Sequence, residues 1–278
     1  MPQVYYSVLP ERTIPEHGFA SLMDLAMRSG AQGHARINIG YSRVDVARNT
    51  VTKAFLLQSK SDDDTLVMLD CDHVHPDTVV ERLARHSEGV VCALAFRRCP
   101  PYDPQIYRHG EGGQLVQPSE WGQGLLRVDA FGMAAIAIKR WVFRKLDESG
   151  MLFPYFRFWY PKGMGMDNSF PSEDIFFGLA CEAAGVECYC DTTVVSPHLT
   201  VGTVDETSWT TYLADHPEMR AEDYAPEIPP DLRVKVLGEQ PKPPACEHVY
   251  AGSGARPDGV MVTICGKCGD QRPLGVAR

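Results

Sequence analysis

The sequence predicts an α/β protein with a mostly parallel central sheet flanked by helices, followed by a small C-terminal zinc-ribbon-like module. Three observations lead there. Up to residue 204, short apolar runs alternate with stretches of helical periodicity. Two of the runs, Thr65–Leu69 and Val90–Phe96, are apolar without interruption, as strands covered on both faces must be. From Asp205 the periodicity fades, Pro226, Pro229, Pro230, Pro241, Pro243 and Pro244 punctuate the chain, and a cysteine-bearing tail follows. The expected division is a domain over 1–204, a wrapping segment or proline-rich linker over 205–244, and a metal-binding module over 245–278.

Taken in order, Val4–Leu9 reads as the first strand, closed by Pro10. Phe19–Arg28 carries Leu22, Leu25 and Ala26 on one helical face, with Gly30 as a stop. Ile37–Tyr41 suits a second strand, and Val44–Ser59 a helix, with Val44, Ala47, Val51, Ala54 and Phe55 at three- and four-residue spacing. Ser61–Asp64 reads as a solvated turn. After the Thr65–Leu69 strand, Pro76–Arg85 reads as a helix and Val90–Phe96 as a strand. His109–Gly113 reads as a hairpin turn between Gln105–Arg108 and Gln114–Gln117; it lacks the strand–glycine loop–helix context of a phosphate loop. Arg127–Ile138 is expected as a strand, Trp141–Lys145 and Ser172–Ala184 as helices, and Glu187–Asp191 as the last strand.

With 44% hydrophobic and 23% charged residues in 278, the chain has globular composition and enough apolar material for a core. Its net charge of −9 disfavours a broad basic face for duplex nucleic acid. The apolar stretches Gly89–Phe96 and Ala130–Ile138 fall short of the roughly 18 residues a membrane span needs. The first residues show no basic region leading into a long apolar one. Nine cysteines, an odd number set in apolar contexts such as Cys92, Cys181 and Cys188, read as reduced thiols and a cytoplasmic location.

The informative segment is Val67-Met68-Leu69-Asp70-Cys71-Asp72-His73-Val74-His75-Pro76. A buried strand ending in two carboxylates one residue apart is costly unless something binds them. At an extended strand end such residues face the same way, so Asp70 and Asp72 are expected to converge. Their mutual repulsion is relieved by a hard divalent cation. Open α/β sheets also bind ligands at the carboxyl ends of their strands. The competing reading is a pair of helix-capping acids ahead of Pro76.

This stretch and its surroundings resemble the GT-A glycosyltransferases, particularly the family 2-like enzymes, in which a strand of the form hhhLDxDxxxxP carries a metal-binding D-x-D. Arg43-Val44-Asp45-Val46-Ala47-Arg48-Asn49 looks like the helix such proteins place near the nucleotide. Asp129 to Arg140 looks like the glycine-bearing strand beside the donor sugar. Ser172-Glu173-Asp174-Ile175-Phe176-Phe177 looks like the acidic element near the acceptor, and Asp191 to Leu199 like the strand leading to a metal-binding histidine.

The resemblance implies transfer of a sugar from a nucleoside-diphosphate sugar to an acceptor hydroxyl, in a viral or bacterial modification pathway. Asp72 and His198 would ligate manganese or magnesium, with Asp70 binding the ribose or reaching the metal through water. Asp174 would be the base of an inverting reaction and Glu173 would contact acceptor or sugar, although both also suit the first turn of a helix capped by Ser172. Leu9, Pro10 and Asp45 are candidates near the base, Gly132 near the donor sugar, and Trp159 for stacking on a sugar or for covering the sheet. Arg48 is read as pairing either with a diphosphate or with a core carboxylate such as Asp45.

In the tail, Cys246-Glu247-His248 and Cys265-Gly266-Lys267-Cys268 supply three thiolates and an imidazole, a donor set for tetrahedral structural zinc. The acceptor stays open among saccharide, protein and nucleic-acid base. A nucleotidyltransferase is disfavoured, because Pro10-Glu11-Arg12-Thr13-Ile14-Pro15 stands where a glycine-rich basic loop would be. A non-catalytic module of the same fold is disfavoured because Asp70, Asp72, Glu173, Asp174 and His198 are all present.

Overall fold

The computed structural model describes residues 2–9, 16–111, 114–158, 171–200, 203–217, 250–255, 261–265 and 271–273. The chain divides into two compact units, 1–233 and 234–278.

The first unit opens with β1 (Val4–Leu9), α1 (Glu16–Ala31), β2 (Ala35–Arg36), α2 (Val44–Gln58), β3 (Thr65–Asp70), α3 (Val79–Ala84) and β4 (Val90–Leu94). A small-strand region follows: β5 (Ile106–His109), β6 (Leu115–Val116), β7 (Leu125–Val128) and β8 (Ala130–Phe131). The chain then forms β9 (Ala135–Lys139), α4 (Arg140–Glu148), α5 (Glu173–Ala183), β10 (Cys188–Val195), β11 (His198–Leu199), β12 (Thr203–Val204) and α6 (Glu206–Asp215).

Seven strands form the main sheet in the order β2-β1-β3-β9-β4-β10-β7. β2 and β3 run parallel to β1, and β10 runs parallel to β4; β9 is antiparallel to both neighbours and β7 to β10. Five of the seven strands therefore point one way, so the sheet is mixed and mostly parallel.

Continuous apolarity in β3 has the cause the sequence suggested. One face of the sheet presents Val67, Leu69, Val91, Ala93, Ala135 and Ala137 to Val79, Val80 and Leu83 of α3 and Leu25 of α1. On the alternate positions Leu66, Met68, Ile136 and Ile138 are fully buried. On α2, Phe55 stands edge-on to Tyr5, with ring centroids 5.3 Å apart, and leans on Phe143 of α4. At the edge toward which the parallel strands run, Leu9 of β1 pairs in register with Asp70 of β3.

Several boundaries differ from expectation. The second strand is Ala35–Arg36, not Ile37–Tyr41. Ile37 still donates to the Tyr6 carbonyl, and the chain then leaves the sheet, freeing residues 41–43 to border a cavity. The third helix starts at Val79, because Pro76 to Val79 forms a turn closed by Val79 N on the Pro76 carbonyl at 3.0 Å. The expected Arg127–Ile138 strand breaks into β7, β8 and β9. Asp129 N and Gly132 N donate to the carbonyls of Tyr107 and Gln105, which draws β8 onto β5 before the chain re-enters the main sheet. Asp64 of the expected solvated turn is buried and accepts from the backbone N–H groups of Gln3, Lys60 and Ser61.

Where fading periodicity suggested a wrapping segment, α6 forms instead. Asp205 and Ser208 make a reciprocal capping box, and Trp209 is buried, stacked on Trp121 with centroids 5.2 Å apart. In the second unit, β13 (Tyr250–Ala255), β14 (Met261–Cys265) and β15 (Gln271–Pro273) form a three-stranded antiparallel sheet. Of the expected zinc ligands, Cys265 is the last residue of β14, while Cys246, His248 and Cys268 lie outside the described residues.

A candidate metal and nucleotide site at the strand edge

A cavity of about 550 Å³ opens beside the ends of β1 and β3. Its walls include Leu9, Tyr41, Arg48, Asp70, Asp72, Arg98, Met133, Ala134, Glu173, Asp174 and His198, so one hollow gathers residues from the whole length of the first unit.

The inner wall is an ion network. Arg48, on α2, is 2% exposed at its side chain. Its Nη2 donates to Asp70 at 3.1 and 3.2 Å, its Nε to Glu173 Oε1 at 3.2 Å, and its Nη1 to the Met133 carbonyl at 3.4 Å. Of the two partners expected for Arg48, a diphosphate or a core carboxylate such as Asp45, the structure shows core carboxylates, but they are Asp70 and Glu173; Asp45 is bound by Arg43 at 2.5 and 2.6 Å and lies off the cavity wall. Burial drives the Asp70 carboxyl up to about 7, against the pull of the Arg48 guanidinium. Glu173 is also raised by burial and by its neighbour Asp174, again opposed by Arg48. His75 braces this wall, its Nε2 donating to the Asp70 carbonyl at 2.8 Å and its Nδ1 lying 3.1 Å from Ser196 Oγ. Burial pushes His75 down to about 4, so the ring is neutral near pH 7.

The rim is built differently. Asp72 lies beyond the strand, its Oδ1 2.9 Å from His73 Nδ1, while its Oδ2 faces His198 Nε2 at 3.1 Å and accepts from Arg98 Nη2 at 2.7 Å. Burial alone would raise Asp72, but the hydrogen bonds from His198 and His73 outweigh it and hold the carboxyl far below its usual range. The segments carrying these groups are tied together: Leu199 N donates to the Asp72 carbonyl and Val74 N to that of Pro197. The His73 and His198 rings stack with centroids 4.0 Å apart.

Among the described residues, Asp72, His73 and His198 form a group whose ligand atoms lie within 4.8 Å of one another. The donor chemistry fits a cation. A carbonyl oxygen only accepts, so the 3.0 Å contact between His198 Nδ1 and the Phe96 carbonyl puts the ring proton on Nδ1. His198 Nε2 then faces Asp72 Oδ2 across a gap that a shared proton or a cation would fill. Adjacent ligands on an octahedral ion with bonds of about 2.1 Å stand about 3 Å apart, and this pair is 3.1 Å apart. The buried His73 Nε2 has no hydrogen-bond partner.

Asp70, expected to contact the ribose or to reach the cation through water, lines the cavity with both oxygens accepting from Arg48 Nη2. Gly132 does not face the cavity. Its space is needed elsewhere, since a Cβ there would come within 2.8 Å of the Gln105 side chain, and the wall is made by Met133 and Ala134 instead. Of the acidic pair on α5, Glu173 is buried against Arg48, while Asp174 is half-buried and lines the cavity. Its Oδ1 accepts from its own helix, from Ser172 Oγ and from Ile175 N at 2.8 Å, and its Oδ2 makes no hydrogen bond among the described residues. Pro10 and Trp159 lie outside the described residues. Sequence reasoning missed His73, although it directly follows Asp72, and Arg98, which no pattern marks.

No family model matches the chain, and no curated protein matches it. Among solved structures it is similar to a mutant of Drosophila β-1,4-galactosyltransferase 7 in complex with manganese, UDP-Gal and xylobiose, with a TM-score of 0.34 and 13% identity. The alignment covers 68% of this chain and 65% of that one, a likeness too low to assign either fold or activity.

Proposed function

We propose that the chain is a metal-dependent glycosyltransferase of the GT-A type, moving a sugar from a nucleoside-diphosphate sugar to an acceptor hydroxyl. The observation that carries this reading is the Asp72–His198 pair, set at cation-ligand spacing on the rim of a cavity that also holds a carboxylate oxygen open to a second substrate. The sequence resemblance supplies the reaction class.

An ion held by Asp72 and His198 would supply Lewis-acid stabilisation of the charge that gathers on the departing diphosphate. The imidazole favours manganese over magnesium. Leu9 and Tyr41, on the same wall, would border the nucleoside. In the transfer step the acceptor oxygen bonds to the anomeric carbon as the carbon–oxygen bond to the diphosphate breaks. The electron pair leaves with the diphosphate, and Asp174 Oδ2 takes the hydroxyl proton. Attack opposite the leaving group inverts the anomeric centre. Glu173, held on Arg48, positions α5 and hence Asp174. A second cavity of about 820 Å³, lined by Tyr102, Thr207, Ser208 and Tyr212 among others, shares Arg98 with the first and offers hydroxyls and aromatic rings to the acceptor.

Manganese-dependent binding and hydrolysis across a panel of nucleotide sugars tests the assignment. At least one should be bound and consumed, and Asp72→Asn should weaken metal-dependent nucleotide binding by about a hundredfold or more. Unchanged affinity in that variant, or no nucleotide sugar turned over, overturns the proposal. Separately, Cys246, His248, Cys265 and Cys268 are proposed to hold structural zinc, and a zinc content of one per chain that falls to zero on Cys265→Ser and Cys268→Ser checks it.

A further inference from the structure

We propose that Arg98 is a partner-exchanging counter-ion: it pairs with Asp72, and a divalent ion binding at Asp72 releases its guanidinium to the diphosphate that the ion carries. This rests on the reading above, that Asp72 binds a cation together with a nucleoside diphosphate.

The competition is for a single atom. Asp72 Oδ2, the oxygen facing His198 Nε2, is also the one that accepts from Arg98 Nη2 at 2.7 Å. A divalent ion bonded to that oxygen repels the guanidinium. Little holds Arg98 in place against this. Its side chain is 52% exposed, it stands in the irregular segment between β4 and β5, and it makes no other hydrogen bond among the described residues. Exposed ion pairs of this kind are weak.

The other cavity arginines differ. Arg48 is buried, with Asp70, Glu173 and the Met133 carbonyl on its fork, and Arg43 is doubly bonded to Asp45. The candidate that the sequence offered for the diphosphate, Arg48, is thus engaged by core carboxylates. Arg98 lines both the strand-edge cavity and the second cavity, so a released guanidinium already stands where a metal-bound diphosphate meets the acceptor. Its planar fork matches phosphate oxygens. Such an exchange makes cation and diphosphate bind cooperatively, because the ion displaces a positive charge that the phosphates then re-use.

The test is titration of wild type and Arg98→Gln with manganese alone, and then with inorganic pyrophosphate at saturating manganese. Manganese alone should bind the variant about two- to fivefold tighter, since a competitor is gone. Pyrophosphate should bind it about tenfold weaker or worse, since a charged donor is gone. Arg98→Lys, which keeps the charge without the fork, should match wild type for manganese and fall between the two for pyrophosphate. Melting curves confirm that the variants fold. Affinities that stay at wild-type values, or that weaken together, overturn the exchange while leaving the Asp72 site intact. A wild-type protein that binds neither manganese nor its pyrophosphate complex removes the site and the exchange together.

Discussion

Asp70 and Asp72 leave the same strand end two residues apart, yet one is met by a buried guanidinium and the other by two imidazoles and an exposed arginine. On the inner wall the charges are closed on one another: Arg48, Asp70 and Glu173 satisfy themselves, and His75 braces the Asp70 carbonyl from behind. On the rim the charges are offered outward, through Asp72 and the unbonded Oδ2 of Asp174. The same residue type meets a buried partner in Asp70 and an exposed one in Asp72, and on the proposed reading only the second is free to exchange its partner for a ligand. Identity and spacing alone do not separate the two roles. The partner does.

The contrast is sharpest on α5, where Glu173 and Asp174 are neighbours on opposite sides of that divide. Asp174→Asn should cost turnover about a hundredfold to ten-thousandfold while leaving nucleotide affinity near wild type, because only the proton acceptor is lost. Glu173→Gln should instead lower the unfolding midpoint with a much smaller effect on turnover. Steady-state kinetics beside urea denaturation read both. Equal kinetic losses in the two variants would erase the distinction.

Breaking the inner wall should cost stability. Arg48→Met leaves two carboxylates facing each other in a largely buried site and should destabilise the fold by about 3–5 kcal/mol, seen as a lowered urea midpoint with unchanged slope. Adding Asp70→Asn and Glu173→Gln should recover part of the loss, since the uncompensated charge is then gone. A single variant as stable as wild type would mean that the network carries no weight.

The sequence made the sheet legible where burial left one choice. β1 was read at its observed bounds, α2 to within one residue, and β3 from its apolar run Leu66–Leu69, which is buried on both faces. It misled where tertiary hydrogen bonds overrode local pattern. The run from Arg127 to Ile138 looks like one strand, but its middle is drawn off to β5 by bonds from Asp129 and Gly132. The Asp205–Ser208 capping box was a readable helix start, overlooked because the prolines farther along dominated the segment. At the site, the acid pair at the end of β3 marked Asp72 and the GT-A resemblance pointed to His198, and the structure places these two side chains 3.1 Å apart. That Asp70 belongs to Arg48 was not legible, since this pairing joins residues 22 apart through the fold. Nor was Arg98, whose irregular segment carries no periodicity.

The smallest effect expected lies behind the inner wall and appears only in acid. His75 has a folded pKa of about 4, set by burial, against about 6.5 for an exposed histidine. Above pH 6.5 the ring is neutral in both states and contributes no pH dependence. As pH falls below 6.5 the unfolded chain takes up a proton that the buried ring refuses, so stability drops until the folded ring titrates near 4. The full loss is about 3 kcal/mol. Asp70 acts in the opposite direction over the same window, because its raised carboxyl binds a proton sooner in the folded state. The wild-type curve therefore mixes the two, and the informative quantity is its difference from His75→Gln. That variant should be the less stable at pH 7, having lost bonds to the Asp70 carbonyl and Ser196. Its deficit should shrink by about 2 kcal/mol on going to pH 4.5. Urea denaturation at the two pH values decides it: parallel curves would mean that the ring behind Asp70 is protonated as readily inside the fold as outside it.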